Sequence, residues 1–180
     1  SNKAKNANLQ RYAEAFSFLQ SKKLYTVDDL ESTLHAMQDK IDMLKKSASK
    51  KQSHIKEMNE LLRMVDYYKS GKPAADKLKS IRFEKSRQKY KSEHDDELRT
   101  FYMAERKLKP YFKDGKLPIT AWRREREQLE QDCKDIQTEL SPLHADAKKL
   151  WAIHYNIYEV QHEQERQNTA MRQKKQEMER

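Results

Sequence analysis

Residues 30–65 read LESTLHAMQDKIDMLKKSASKKQSHIKEMNELLRMV, and the spacing within them decides the fold. One row, seven residues apart, holds Leu30, Met37, Leu44, Lys51, Met58 and Val65. A second row, four residues on, holds Leu34, Ile41, Ala48, Ile55 and Leu62. Apolar positions alternating by four and three give a period near 3.5. Sustained this long, that period specifies a left-handed coiled coil. One helix of a globular bundle would carry a wider apolar stripe. Lys51 alone breaks the pattern.

A second seam lies toward the C-terminus. Trp122, Leu129, Ile136, Leu143, Leu150 and Ile157 are seven apart, with Arg126, Cys133, Leu140, Ala147, His154 and Gln161 between them. The two seams match in length, each a helix of roughly 60 Å at about 1.5 Å per residue. The simplest account is one antiparallel pair within the chain, Val65 near Trp122 and Leu30 near Ile157. Lys51 would then lie near Ile136 and Leu140, with Asp135 and Glu139 in reach. Pro142 interrupts the second seam and removes one backbone hydrogen bond. The seam keeps its register across it, so a kink is expected rather than a chain reversal.

Outward from the seams the chain is punctuated sparingly. Leu9, Tyr12, Phe16 and Leu19, joined by Ala13, form the stripe of a helix of about five turns ending at Ser21-Lys22-Lys23. Thr26 is a good N-cap for the next helix, with Asp29 where a capping box places an acid. Gly71-Lys72-Pro73 opens a head at 72–118 of two or three short helices, closed by Asp114-Gly115 and Pro118. Within it Ser92-Glu93-His94-Asp95 is a helix start, and Leu98, Phe101, Tyr102, Met103 and Leu108 form an apolar face. The expected fold is all-α: an elongated antiparallel coiled-coil hairpin with arms 27–71 and 119–163, the head between them, and an N-terminal helix at the open end. Phe16 and Leu19 of that helix are placed to cover Tyr155 and Tyr158. Residues 1–163 make one domain; 164–180 is a polar tail, a solvated helix or disordered.

Composition agrees. The chain has 180 residues, of which 37% are charged and 36% hydrophobic, with 2 Gly and 4 Pro. An ordinary domain is about 25% charged and would hold roughly 12 Gly at this length. A β-sandwich or doubly wound sheet needs glycine at its turns, so both are nearly excluded. The single cysteine, Cys133, has no intrachain partner for a disulfide. No apolar run approaches the roughly 18 residues of a membrane span, and no signal-peptide core is visible. A soluble chain without membrane insertion is expected. A start at Ser1-Asn2 without methionine is expected of a piece of a longer protein.

The net charge of +9 is unevenly distributed. It is +4 over 1–26, zero over 27–71, +6 over 72–118, −3 over 119–163 and +2 over 164–180. In the head, Lys77, Lys79, Arg82, Lys85, Arg87, Lys89 and Lys91 face a single acid, Glu84, with Phe83 and Tyr90 interleaved. Such a cluster can neutralise phosphates and stack on bases. Charge alone favours the plainer reading, a solvated helix face with both aromatics in the core. If the cluster binds nucleic acid, Arg82, Lys85 and Lys89, spaced by three and four, form the contact row. Lys79 lies beside them if the helix is unbroken; Arg87 and Lys91 complete the candidate set.

Catalytic and metal chemistry is not evident. His35, His54, His94, His144, His154 and His162 are scattered without ligand spacing. Tyr67, Tyr68, Tyr155 and Tyr158 are better explained by helical packing than as nucleophiles. There is no glycine-rich phosphate loop. No catalytic residue, metal or cofactor is assigned.

Several stretches together carry a resemblance. They are Asn8-Leu9-Gln10 with Phe18-Leu19-Gln20, the Leu24 to Leu30 helix start, Val65-Asp66-Tyr67-Tyr68-Lys69, and the basic head with Phe83 and Tyr90. His94, Glu97-Leu98 to Lys107, Lys116-Leu117-Pro118 and the long helix with Pro142 follow. In this order they resemble, over most of residues 8–160, the C-terminal helical region of relaxases, the mobilisation nucleases of bacterial conjugative elements. In that family a tyrosine and a metal-bound histidine cluster of an N-terminal domain cut DNA, and no such motif occurs here. The resemblance implies a non-catalytic accessory module in a bacterial cytoplasm. It would contact DNA without sequence preference, dock to transfer-apparatus proteins, or self-associate as a homodimer.

Overall fold

A computed structural model describes residues 2–178, with side chains for residue 7 and residues 9–178. The side chain of Asn8 and residues 179–180 of the tail lie outside the described residues. The order is α1 (Asn2–Ser21), α2 (Val27–Ser80), α3 (Glu84–Glu93), α4 (Asp95–Leu108), a 3-10 turn (Lys109–Tyr111) and α5 (Ile119–Met178). The fold is all-α, and α2 packs against α5. Every seam position of α2 from Leu30 to Val65 is buried or half-buried. So is every seam position of α5 from Trp122 to Ile157, while Gln161 is exposed.

The chain packs as two compact units, one of residues 1–45 with 137–180, the other of residues 46–136. In the first, Leu24, Leu30, Leu34 and Leu150 form the buried cluster, with Phe18, Leu19, Met37, Ile153 and Ile157 against it. Leu30 and Ile157 thus meet in one cluster, as the antiparallel register requires. Lys40 reaches Glu139 at 2.6 Å, and His154 Nε2 lies 2.9 Å from a Glu31 oxygen. The α1–α2 link is closed by two local devices. Lys23 takes a positive φ of 57°, its N–H donates to the Gln20 carbonyl, and the Leu24 N–H donates to that of Leu19. That is a Schellman ending, with Leu19 and Leu24 making its hydrophobic contact. Thr26 then caps α2: its Oγ1 accepts from the Asp29 N–H at 3.1 Å, and the Asp29 carboxylate accepts from the Tyr25 N–H at 3.4 Å.

In the second unit, Met58, Met64, Val65, Ala104, Leu108 and Trp122 form one cluster, so Val65 and Trp122 meet. Ala74, Ala75, Leu78, Leu98 and Phe101 form another. Tyr68 joins them, stacked on Phe101 at 5.1 Å and edge-on to Phe112 at 5.6 Å. Lys107 donates to Glu60 at 3.0 Å, and this contact, with Arg63, holds the Glu60 carboxyl below its ordinary pKa. The chain turns toward α5 through Lys113–Lys116, paired in both directions at 2.9 Å. Asp114 and Gly115 both have positive φ, 48° and 72°, the requirement of a type I′ turn.

Three expectations change, and α5 keeps to the expected course, with no chain reversal at Pro142 and the tail a solvated helix. Helix α2 does not end at Gly71-Lys72-Pro73 but runs to Ser80. Gly71 serves packing instead: a Cβ there would lie 2.6 Å from Phe101 Cβ, so its absence lets α4 approach. Pro73 is exposed and tolerated within the helix. The partner of Lys51 is Asp132 at 2.5 Å, one turn before Asp135, because the long lysine stem reaches along the partner helix. Helix α5 continues through Pro142 and past 163 to Met178. Finally, Phe16 does not cover Tyr155 and Tyr158, which are 62%, 61% and 50% exposed. Helix α1 turns Phe18 and Leu19 to the cluster instead, and Phe18 is flanked by Lys22 and Lys149 at 5.6 and 5.2 Å from its ring.

Candidate nucleic-acid interface

The basic cluster lies on the last turn of α2, the link 81–83 and α3. Helix α2 ends at Ser80, whose hydroxyl donates to the Lys77 carbonyl at 2.7 Å. No glycine or proline marks this break, so it was not legible beforehand. Its consequence is a correction to the contact row: Arg82 sits in the link and shares no helix with Lys85 and Lys89.

Helix α3 buries none of its residues. Tyr90 anchors it, half-buried against the second cluster, with its ring 4.2 Å from that of His94 and the Lys77 ammonium 5.1 Å above it. Lys77 is thereby engaged. Phe83, the residue before α3, has extended φ and ψ of −83° and 126° and is 78% exposed. Of the two interleaved aromatics, one is therefore core and the other open to solvent.

The cations divide in the same way. The Arg87 guanidinium turns back to donate to the Ile81 carbonyl at 2.9 Å and lies 3.9 Å from Glu84. Lys89 is 3.8 Å from Glu93. Lys79, Arg82, Lys85 and Lys91 are exposed and have no ion pair among the described residues. Lys85 and Lys89, one turn apart, point away from the Tyr90 side of the helix. Chemically the segment offers unneutralised cations and one open aromatic ring, suited to phosphates and an unstacked base.

A groove of about 750 Å³ elsewhere in the second unit was not legible in the sequence. Tyr68 of α2, Tyr102, Glu105 and Arg106 of α4, and Lys109 and Phe112 of the following turn line it, residues the chain brings together only on folding. Among the described residues, no group of three or more His, Cys, Asp or Glu is placed to hold a metal. No described helix is long and apolar enough to cross a membrane.

Comparison of the chain with protein-family models, curated proteins and solved structures finds no match.

Proposed function

We propose that this chain is a non-catalytic helical module of a relaxase-type DNA-mobilisation protein, contacting nucleic acid through the α2 end, the 81–83 link and α3. The observation that carries the reading is the set of exposed cations without an ion pair among the described residues, Lys79, Arg82, Lys85 and Lys91, on the segment that holds the exposed Phe83. Phosphate contacts need exposed cations whose charge is not already neutralised, and these four satisfy that. Base stacking needs an open ring, which Phe83 supplies and Tyr90 does not. The relaxase part of the reading rests on the sequence resemblance, which also implies a bacterial cytoplasmic setting.

The test is salt-dependent binding of single- and double-stranded DNA of random sequence. Lys79, Arg82 and Lys85 replace the earlier row, because Lys89 already has an acid beside it. Each phosphate contact contributes about 0.7 to the logarithmic salt slope for single strands and about 0.9 for duplex. Replacing the three by Ser should flatten the slope by roughly two units with helix content unchanged. No binding by the wild-type chain at about 20 mM salt, where such contacts are strongest, overturns the reading.

A second reading is a protein-interaction arm that docks to transfer-apparatus proteins or to itself. It is favoured by the first unit, where Trp151, Tyr155 and Tyr158 stand exposed on α5. The two readings use different residues and are separable by experiment.

A further inference from the structure

Helix α5 presents three faces in the first unit, and two are occupied. Leu150 and Ile157 face the buried cluster, and His154 meets Glu31 of α2. Asp146 pairs with Lys22 and Lys149 lies over Phe18, both toward α1. The third face carries Lys148, Trp151, Tyr155, Tyr158, His162 and Glu165, spaced by three, four, three, four and three. This is a second heptad seam on one helix, and among the described residues nothing covers it. Trp151 is 44% exposed, Tyr155 61% and Tyr158 50%. The row is ordered before any partner arrives: the Tyr158 ring lies 4.1 Å from that of His162, and Trp151 meets His154 edge-on at 5.7 Å.

We infer that this face pairs with the same face of a second copy of the chain, as an antiparallel α5–α5 contact about a twofold axis between Asn156 and Ile157. The row is self-complementary in that arrangement alone. Tyr155 meets Tyr158 of the second copy, Trp151 meets His162, and Lys148 meets Glu165, each pair occurring twice as an isologous contact demands. A parallel pairing would set Lys148 on Lys148 and Glu165 on Glu165, which like-charge repulsion opposes. Lys148 has no ion pair among the described residues, and Glu165 has only His162 at 3.7 Å. Aromatic side chains bury roughly 150–250 Å² each, so three rings about half exposed offer roughly 300 Å². With Lys148, His162 and Glu165 added, each copy contributes on the order of 500 Å², near the lower bound for a specific interface. The dimer is therefore weak and concentration-dependent. The inference rests on the self-association reading and not on the nucleic-acid one.

Sedimentation equilibrium of the whole chain without DNA tests it. The wild type should dimerise reversibly. Tyr155→Glu should raise the dissociation constant at least about tenfold, as loss of a central aromatic anchor does. Lys148→Glu alone and Glu165→Lys alone should each weaken the dimer by about threefold, and the two together should restore it. Phe16→Glu, on the other exposed apolar surface of this unit, should leave it unchanged. All four positions are exposed, so helix content measured by circular dichroism should not move. A wild type that stays monomeric at about 200 µM overturns the inference. So does a dimer abolished by Phe16→Glu but not by Tyr155→Glu, and so does a double charge swap that fails to restore pairing.

Discussion

Lys51 occupies the one seam position of α2 where a cation replaces an apolar side chain, and its fate shows how a coiled coil tolerates that. Its ammonium reaches Asp132 at 2.5 Å with both side chains about a third exposed, so the charge stays near water while the stem packs. The hydrogen bond from Lys51, then that from Gln128, holds the Asp132 carboxyl below its ordinary pKa. A carboxylate depressed in the folded state adds stability above its unfolded value, near pH 4. That stability is lost as pH falls through the lower folded value. Lys51→Leu should therefore leave the urea midpoint at pH 7 unchanged or raise it, since apolar replacement of a paired charge is commonly neutral or favourable. Below pH 4 the wild type loses the pair and the variant has none to lose, so the gap in favour of Lys51→Leu should widen with acidification. Urea titrations at pH 7 and pH 3 check this; a lower midpoint for the variant at pH 7 would assign Lys51 a structural role. The seam position was legible in the heptad. The partner was not: the register puts Asp135 and Glu139 in reach, but the lysine stem spans a full turn and finds Asp132.

At the scale of elements, the informative residue is Gly71, in the interior of a 54-residue helix. On propensity alone glycine there costs about 1 kcal/mol relative to alanine. The structure supplies the reason for it. A Cβ would meet Phe101 Cβ at 2.6 Å, the Glu97 carbonyl at 3.2 Å and Phe101 Cα at 3.4 Å. The first is a contact with the root of a side chain and the other two with backbone, so no flexible tip can move aside. Ala74 and Ala75 continue the same small-residue surface against Leu98 and Phe101. Gly71→Ala should gain the helix-propensity term and lose more by forcing α2 and α4 apart, a net destabilisation of about 1–2 kcal/mol by the usual cost of overpacking. Thermal unfolding of the variant checks the sign: a higher melting temperature would mean that the α2–α4 contact yields. Read in sequence, Gly71-Lys72-Pro73 is a break, because glycine and proline ordinarily punctuate helices. What overrides that rule is tertiary contact at Gly71, which depends on Phe101, thirty residues on. The reverse error occurs at Ser80, where a helix does end and no punctuation announces it. By contrast the link at Lys23 to Thr26 and the turn at Asp114-Gly115 were legible because their determinants are local: a cap, a hydroxyl acceptor and two positive φ values.

Over the whole molecule, the two units differ in how much apolar surface they bury. The second unit holds two clusters that include Phe101, Met64, Leu108 and Trp122, joined through the Tyr68 ring. Among the described residues the first holds one cluster, built on four leucines, and its α1 leaves Leu9, Tyr12 and Phe16 each more than 60% exposed. Helices this long cannot be held by propensity, since most helical stability in proteins comes from packing of an apolar face. Where packing is thin, local opening is cheap, and amide exchange reports it. Amides of residues 58–78, 98–108 and 122–133 should therefore exchange most slowly. Those of α1 and of α5 beyond residue 163, where every described residue is exposed, should exchange fastest. The seam residues 30–44 and 140–157 should lie between them. Hydrogen exchange at low protein concentration measures this order directly. Raising the concentration adds a second reading: if α5 pairs with itself through Tyr155 and Tyr158, protection should rise over residues 148–165 and leave residues 98–108 unaffected, because a ligand stabilises the elements it orders and the core of the second unit is already closed. Uniform protection along α1, α2 and α5 would instead mean that packing density does not set the local stability of these helices.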